Sequence, residues 1–334
     1  MATPCKRPAP GGDSPAACGS GSKRARHEFT AAVDDYDLLG ALAFGPRAVV
    51  TEARHRRTGA AVAVKAIRGD GDGGRAPAAL RELACLRALR GDPSAVQLVG
   101  VGEDAATGDV FLVTELAGAT LRRRLAVARA FSEAETRACM RQLLRAAERM
   151  HAAGTVHRHI TPENVLVGAG GALKLCGFGM ATTPASPAAA GEPRVGTLRY
   201  GSPEQLIGMG HDTPAVDVWA LGCVMAELLA GGEPLFESDT ADDVIEEMEY
   251  LHDELITAGL DAFDALPELS QAGREVLAGL LSFHDGERLT AAEALKHRWF
   301  EEEDAELPAV VAKAELPVLT PNECNSVSDS SSQN

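Results

Sequence analysis

The sequence predicts an α+β fold of two lobes: a small strand-rich N-lobe with one major helix, then a larger, mainly helical C-lobe. Three observations predict it. Short apolar runs of strand length, at 61–64, 96–99 and 110–113, crowd into the first third of the chain. From about residue 120 the apolar residues recur at helical spacing instead. A length of 334 residues, 45% of them hydrophobic, is enough for two lobes with real cores.

The elements follow in order. Residues 1–33 are rich in Ala, Pro, Gly and Ser, cannot build a core and are expected to be disordered. Lys6-Arg7 and Lys23-Arg24-Ala25-Arg26 within them read as a bipartite nuclear import signal or as a plain solvated basic tail. The expected location is nuclear and/or cytoplasmic. The folded region spans 34–300, with the N-lobe at about 34–116 and the C-lobe at about 117–300. Ala61-Val62-Ala63-Val64 is a strand ending at Lys65, and Thr107-Gly108-Asp109 turns between the strands at 96–99 and 110–113. Leu80, Leu83, Leu86 and Leu89 recur every three residues, as on one helical face. Ser132-Glu133-Ala134-Glu135 is a capping box. The helix it opens carries Met140, Leu143, Leu144 and Met150 and ends near Gly154. A loop-rich stretch covers 155–205, and further helices are expected at 216–229, 241–255, 272–281 and 291–297. Residues 301–334 begin with Glu301-Glu302-Glu303-Asp304, end in a serine-rich run and read as a solvated, disordered tail. The cleft between two such lobes is where a small-molecule site is expected.

Composition narrows the function. With 32 Lys+Arg against 48 Asp+Glu the net charge is −16, which argues against a general nucleic-acid or anionic-membrane binder. Seven scattered cysteines without a Cys-x-x-Cys pair point to a reduced compartment and give no zinc motif. The longest apolar stretch, 218–229, is broken by Glu227 and is too short to span a bilayer. No apolar run follows Lys6-Arg7, so no secretory signal is expected.

The residues that carry chemistry come in a fixed series. Lys65 ends the first apolar strand, and Glu82 lies on the amphipathic helix. His157-Arg158-His159-Ile160-Thr161-Pro162-Glu163-Asn164 is followed by Cys176-Gly177-Phe178-Gly179, Ser202-Pro203-Glu204, Asp217-Val218-Trp219 and a late Arg288. In this order and spacing the sequence resembles the eukaryotic protein-kinase family, and within it the cyclin-dependent-kinase-like serine/threonine group, over about residues 36–300. The resemblance implies a bilobal protein-kinase fold. It makes Lys65 the strand lysine that holds the ATP α- and β-phosphates and Glu82 its helix partner. It puts Thr114 at the gatekeeper position and Glu115, Leu116 and Ala117 on the hinge that meets adenine. Asn164 becomes a metal-binding loop residue, Glu204 and Arg288 a buried ion pair, and Asp217 the brace of the catalytic loop. His157, Phe178, Leu86 and Leu98 match an apolar stack that links the lobes. The stretch 76–82 looks like a worn cyclin-contacting helix start.

The departures from the family pattern fall on phosphate and metal handling. His159 stands where the family's loop aspartate accepts the substrate proton. Gly177, with no ligand atom, replaces the magnesium-binding aspartate, and Thr161 replaces the loop lysine beside Arg158. The glycine-rich loop is eroded: counted back from Lys65, its three glycine positions hold Ala43, Gly45 and Ala48, with Pro46 and Arg47 at the tip. The rival register, 40–45, keeps only two of the three glycines. Glu192 aligns with the phosphorylated position of cyclin-dependent kinases. There it could stand in for phosphate against Arg81 and Arg158, or be one more charge in an Ala/Pro/Gly-rich loop; the third clasping arginine falls at Thr182. Gly201 replaces an arginine that shapes a proline-directed substrate site. The region between Phe236 and Ala272 looks pared down, where this group carries a longer insert. The expected function is a pseudokinase that keeps a nucleotide site for ATP with magnesium weak or absent. The alternative is an active serine/threonine kinase with weak or atypical catalysis. The implied partners are proteins: an active kinase relative, a cyclin-like subunit or a substrate protein.

Overall fold

A computed structural model describes residues 33–69, 74–127, 130–184, 197–208, 213–266 and 269–301. The N-lobe is one antiparallel sheet of β1 (Tyr36–Phe44), β2 (Ala48–His55), β3 (Ala61–Ile67), β4 (Leu98–Glu103) and β5 (Val110–Glu115), ordered β1-β2-β3-β5-β4. Helix α1 (Pro77–Ala88) lies between β3 and β4, with Pro77 in the first turn, where its missing N–H costs nothing.

Two expectations for this lobe are corrected. Helix α1 buries Ala79, Glu82, Leu83, Cys85 and Leu86, while Leu80 is 43% exposed. A step of three residues falls short of a full 3.6-residue turn, so the leucine series drifts around the helix and Leu80 leaves the buried face. The strand expected at 96–99 starts at Leu98 and runs on to Glu103. Residues 94–96 serve instead to join the lobes: Val96 N–H donates to Leu175 O at 2.9 Å, and Leu175 N–H to Ser94 O at 2.8 Å.

The C-lobe opens with β6 (Ala119–Thr120) and α2 (Leu121–Leu125). Helix α3 (Glu133–Ala152) starts at the expected capping box, formed by Ser132 and Glu135. Strands β7 (Val165–Val167) and β8 (Leu173–Leu175) complete a small sheet, β6-β7-β8. There follow α4 (Pro203–Leu206), α5 (Pro214–Leu229), α6 (Ala241–Thr257), α7 (Gln271–Leu280) and α8 (Ala291–Ala294). Helix α5 is buried on every side from Val216 to Leu228, as expected of a helix apolar all round. The last helix is shorter than the 291–297 expected. After Ala294 the chain leaves the α-helix so that Trp299 can enter the core, its indole N–H donating to Glu133 Oε1 at 2.6 Å. No described helix is long and apolar enough to cross a membrane. The basic clusters of the N-terminal segment, and the C-terminal tail beyond Glu301, lie outside the described residues.

Two buried polar features fasten the C-lobe. The Arg288 guanidinium, its side chain fully buried, donates to both oxygens of Glu204 at 2.7 and 3.1 Å and to the carbonyls of Ser282, Phe283 and Ala215. His157 is fully buried, its ring 4.8 Å from Phe178, with Nε2 2.9 Å from Cys176 O. Its Nδ1 has no hydrogen-bond partner, so a second ring proton would be stranded there. Burial accordingly pushes the imidazole pKa below its ordinary value, against the opposing pull of Asp217.

Arg288→Ala leaves Glu204 buried without its cation and is expected to cost about 3–5 kcal/mol, read by urea denaturation. His157 gives a pH signature. The unfolded imidazole takes up a proton below about pH 6.5 and the folded one only at lower pH, so stability is lost as pH falls from 7 toward 5. His157→Phe should flatten that slope in denaturation curves across this range.

Candidate functional site

The site is assembled from both lobes. Lys65 on β3 reaches Glu82 on α1, Nζ to Oε2 2.6 Å. Glu82 is almost fully buried, so Lys65 is held at the cleft by a carboxylate with little competing water. Below it, Asp217 of α5 is wholly buried and accepts three bonds: from His157 N–H at 2.8 Å, from Arg158 N–H at 2.7 Å, and a contact with His151 Nε2 at 2.9 Å. Arg158 stands at φ +63°, the one non-glycine with positive φ among the described residues. Two side chains continue the frame: Arg158 Nε donates to Met180 O at 2.6 Å and Arg81 Nε to Gly179 O at 3.0 Å. Both arginines proposed for a phosphate clasp thus converge on one short segment. Thr182 pairs its backbone with Val156. Glu192 lies outside the described residues.

His159 engages both ring nitrogens. Nε2 is 3.0 Å from Thr197 Oγ1, and Nδ1 is 3.3 Å from Asn164 Nδ2. Asn164 Nδ2 also donates to His159 O at 3.0 Å, which fixes which end of the amide faces His159. An Nδ1 that accepts from Asn164 leaves the proton on Nε2, directed at Thr197. Burial lowers the imidazole pKa to about 4, with His157 and Lys65 acting in the same direction and Glu163 against. The ring is therefore neutral near pH 7, with its lone pair turned inward.

Gly177 has φ +76°, and a Cβ built there would lie 2.2 Å from Asn164 Oδ1 and 2.7 Å from Asn164 Cγ. The Asn164 amide occupies the space that a side chain at 177 would need. Thr161 is buried and bonds to Glu163. Among the described residues no group of three or more His, Cys, Asp or Glu could hold a metal ion. Gly177 offers no ligand atom, and Asn164, with its amide nitrogen on His159, turns Oδ1 toward position 177.

Gly45 begins the turn between β1 and β2, its N–H donating to Ala48 O at 2.7 Å. Residues 40–44 of the rival register lie inside β1. Arg68 N–H donates to Arg47 O, and Arg68 Nη2 to Pro46 O at 3.0 Å, so the tip is strapped onto the end of β3. Thr114 and Glu115 end β5, and Glu115 binds Lys174 Nζ at 2.6 Å and Gln97 N–H at 2.9 Å. Ala117 precedes Gly118, where a Cβ would meet Val167 O at 2.0 Å and φ is +130°, so only glycine fits. At Gly201 a Cβ would stand 3.0 Å from Leu206 Cδ2, leaving little room for the family's arginine.

The sequence reading missed one cluster. Arg122 of α2 bonds Glu163 at 2.6 Å, Glu227 and the Tyr200 hydroxyl, and Tyr200 donates to Glu227 at 2.7 Å. Burial pushes the Glu227 carboxyl up, with Arg122 opposing. Burial also disfavours the charged form of Glu163, but Arg122 outweighs it and holds that carboxyl below the usual range. The one signal was Glu227 itself, a charge inside an apolar helix.

Comparison with known proteins agrees with this geometry. A family model described as "Protein kinase domain" matches residues 36–300. The "Putative cyclin-dependent kinase F-2" of Oryza sativa subsp. japonica is 38% identical over 307 residues, covering 81% of this chain and 91% of that protein. The "Cell division control protein 2 homolog 3" of Trypanosoma brucei brucei is 32% identical over 290 residues, covering 80% of this chain and 92% of that protein. The "Cyclin-dependent kinase G-2" of Oryza sativa subsp. indica is 30% identical over 302 residues; 81% of this chain aligns, but only 42% of that relative. With its two lobes, its Lys65–Glu82 pair and its braced loop, the chain belongs to the protein kinase family, in the cyclin-dependent-kinase-like group.

Proposed function

We propose that this chain is a binding or regulatory pseudokinase that keeps a nucleotide site and has lost phosphoryl transfer. The observation that carries the reading is Gly177, which puts no ligand atom where the family's magnesium-binding aspartate stands. Phosphoryl transfer rests on positioning and on charge stabilisation at the moving phosphate. Here no carboxylate stands at 177, Thr161 carries no charge, and His159 has no free lone pair facing outward. Losing a general base alone costs about 10²- to 10⁴-fold.

A nucleotide site remains in this reading. Lys65, held by Glu82, would meet ATP phosphates, and the backbone of residues 115–117 would meet adenine. ATP bound there brings its own triphosphate charge, which Lys65 offsets without a protein-held metal. The intact frame of Lys65–Glu82, Asp217–Arg158 and Glu204–Arg288 favours a second reading, a serine/threonine kinase with weak or atypical catalysis. For partners, exposed Leu80 on α1, within the cyclin-like stretch, supports a protein surface for a cyclin-like subunit or an active relative. The relatives named as cyclin-dependent kinases support the same reading.

The test is ATP-dependent stabilisation of the purified chain with magnesium and with EDTA, followed by phosphate transfer to a generic protein substrate. The expected result is a melting shift of similar size in both conditions, equivalent to about 2.7 kcal/mol at 100 times Kd. Lys65→Ala should abolish the shift, and no transfer should occur. Transfer that disappears in Lys65→Ala would establish the second reading instead.

A further inference from the structure

Helix α3 carries a charge pattern that runs against the acidic balance of the chain. Arg137, Arg141, Arg145 and Arg149 recur every four residues along it. A step of four overshoots the 3.6-residue turn by only about 40°, so the four guanidinium groups form one slowly winding stripe. Like charges four residues apart destabilise a helix, so such a series is costly unless other groups cover it.

Aromatic rings cover the first two. Arg137 lies over the Trp299 ring, 5.4 Å from its centroid, and Arg141 over the Phe300 ring at 5.1 Å. Successive residues of the chain thus meet successive arginines, and the next cation along the stripe is Arg145. Among the described residues Arg145 is exposed and takes part in no ion pair. Arg149 ends the stripe, half-exposed and 3.3 Å from Asp92 in the stretch between α1 and β4. The chain leaves Phe300 with five carboxylates in six residues: Glu301, Glu302, Glu303, Asp304 and Glu306. Lys313 is the only Lys or Arg from 301 to 334. Between Arg141 and Arg149 the helix rises about 12 Å, at about 1.5 Å per residue. An extended chain covers that distance in about four residues. The acidic run therefore starts at the right place, with the right charge and enough length, to lie along the exposed half of the stripe.

We infer that segment 302–306 of this chain seats on the arginine stripe of α3, with its carboxylates on Arg145 and Arg149, and straps the C-terminal tail along the C-lobe toward the N-lobe. The seat needs neither ATP nor magnesium. Its ion pairs are exposed, so each is weak, and together they hold the run in a salt-dependent way. While seated, the run closes the stripe to any other acidic protein segment.

Amide hydrogen exchange over 302–306 in the full chain tests this, each rate being divided by that of the free peptide of the same sequence. At low salt the run should exchange about five- to thirtyfold more slowly than in Arg145→Glu/Arg149→Glu, the effect of a few exposed pairs acting together. At about 1 M salt, where screening acts within about 3 Å, the slowing should vanish. Arg145→Gln alone leaves the core untouched and should reduce the slowing by about twofold or more. The charge swap decides between a seat and a general loss of stability. Glu302→Lys/Glu303→Lys/Asp304→Lys should release the run, and adding Arg145→Glu/Arg149→Glu should seat it again. Exchange at the free-peptide rate in the unchanged chain overturns the inference, as does a swap that fails to restore slowing. Slowing that grows with protein concentration puts the run on a second copy and overturns the intrachain seat. So does an acidic peptide that binds the stripe while the run exchanges freely.

Discussion

The wholly buried carboxylate of Asp217 is the interaction on which the site depends. A buried carboxylate is tolerable only if its lone pairs are met by donors, and here two backbone N–H groups and the His151 ring meet them. Those N–H groups belong to His157 and Arg158, so the carboxylate fixes the entry of the loop that carries His159, Thr161 and Asn164. It also holds Arg158 in a left-handed conformation that a free chain would leave. From there the frame extends outward. Arg158 reaches Met180, His157 packs on Phe178, and α1 reaches the same segment through Arg81. The anchor sits in α5, which is buried on every side from Val216 to Leu228 and close-packed by the rest of the C-lobe.

Around this anchor two kinds of residue part company. Those that set backbone position keep their partners: Lys65 with Glu82, Glu204 with Arg288, Asp217 with the loop. Those that would handle moving charge do not. The three altered positions are also packed into the frame rather than left open. Thr161 is buried, His159 bridges to Thr197, and Asn164 fills the space at Gly177. A site that had merely lost groups would show solvent-filled gaps where they stood. Here Thr161, His159 and Gly177 each meet a packed neighbour instead.

Much of this was legible in the sequence because its signals are local. The capping box at Ser132 and Glu135, the apolar α5 and the motif series at 157–164 and 176–179 each carry their meaning within a few residues. What was not legible depends on contacts between distant segments. Leu80 looked like core because spacing alone ignores the drift of a three-residue repeat. Val96 looked like strand, yet its N–H is claimed by Leu175 from the other lobe. The Arg122 cluster joins residues from α2, the catalytic loop, the 198–200 turn and α5, and no spacing rule connects them. The tautomer of His159 likewise follows from Asn164 and Thr197, five and thirty-eight positions away.

The amide of Asn164 over Gly177 bears on how such a chain changes with time. A side chain at 177 must first displace the Asn164 amide, so a substitution there is also a repacking of the loop. Any change at 177 is thus felt first in how the loop folds and only afterwards in what the site can hold.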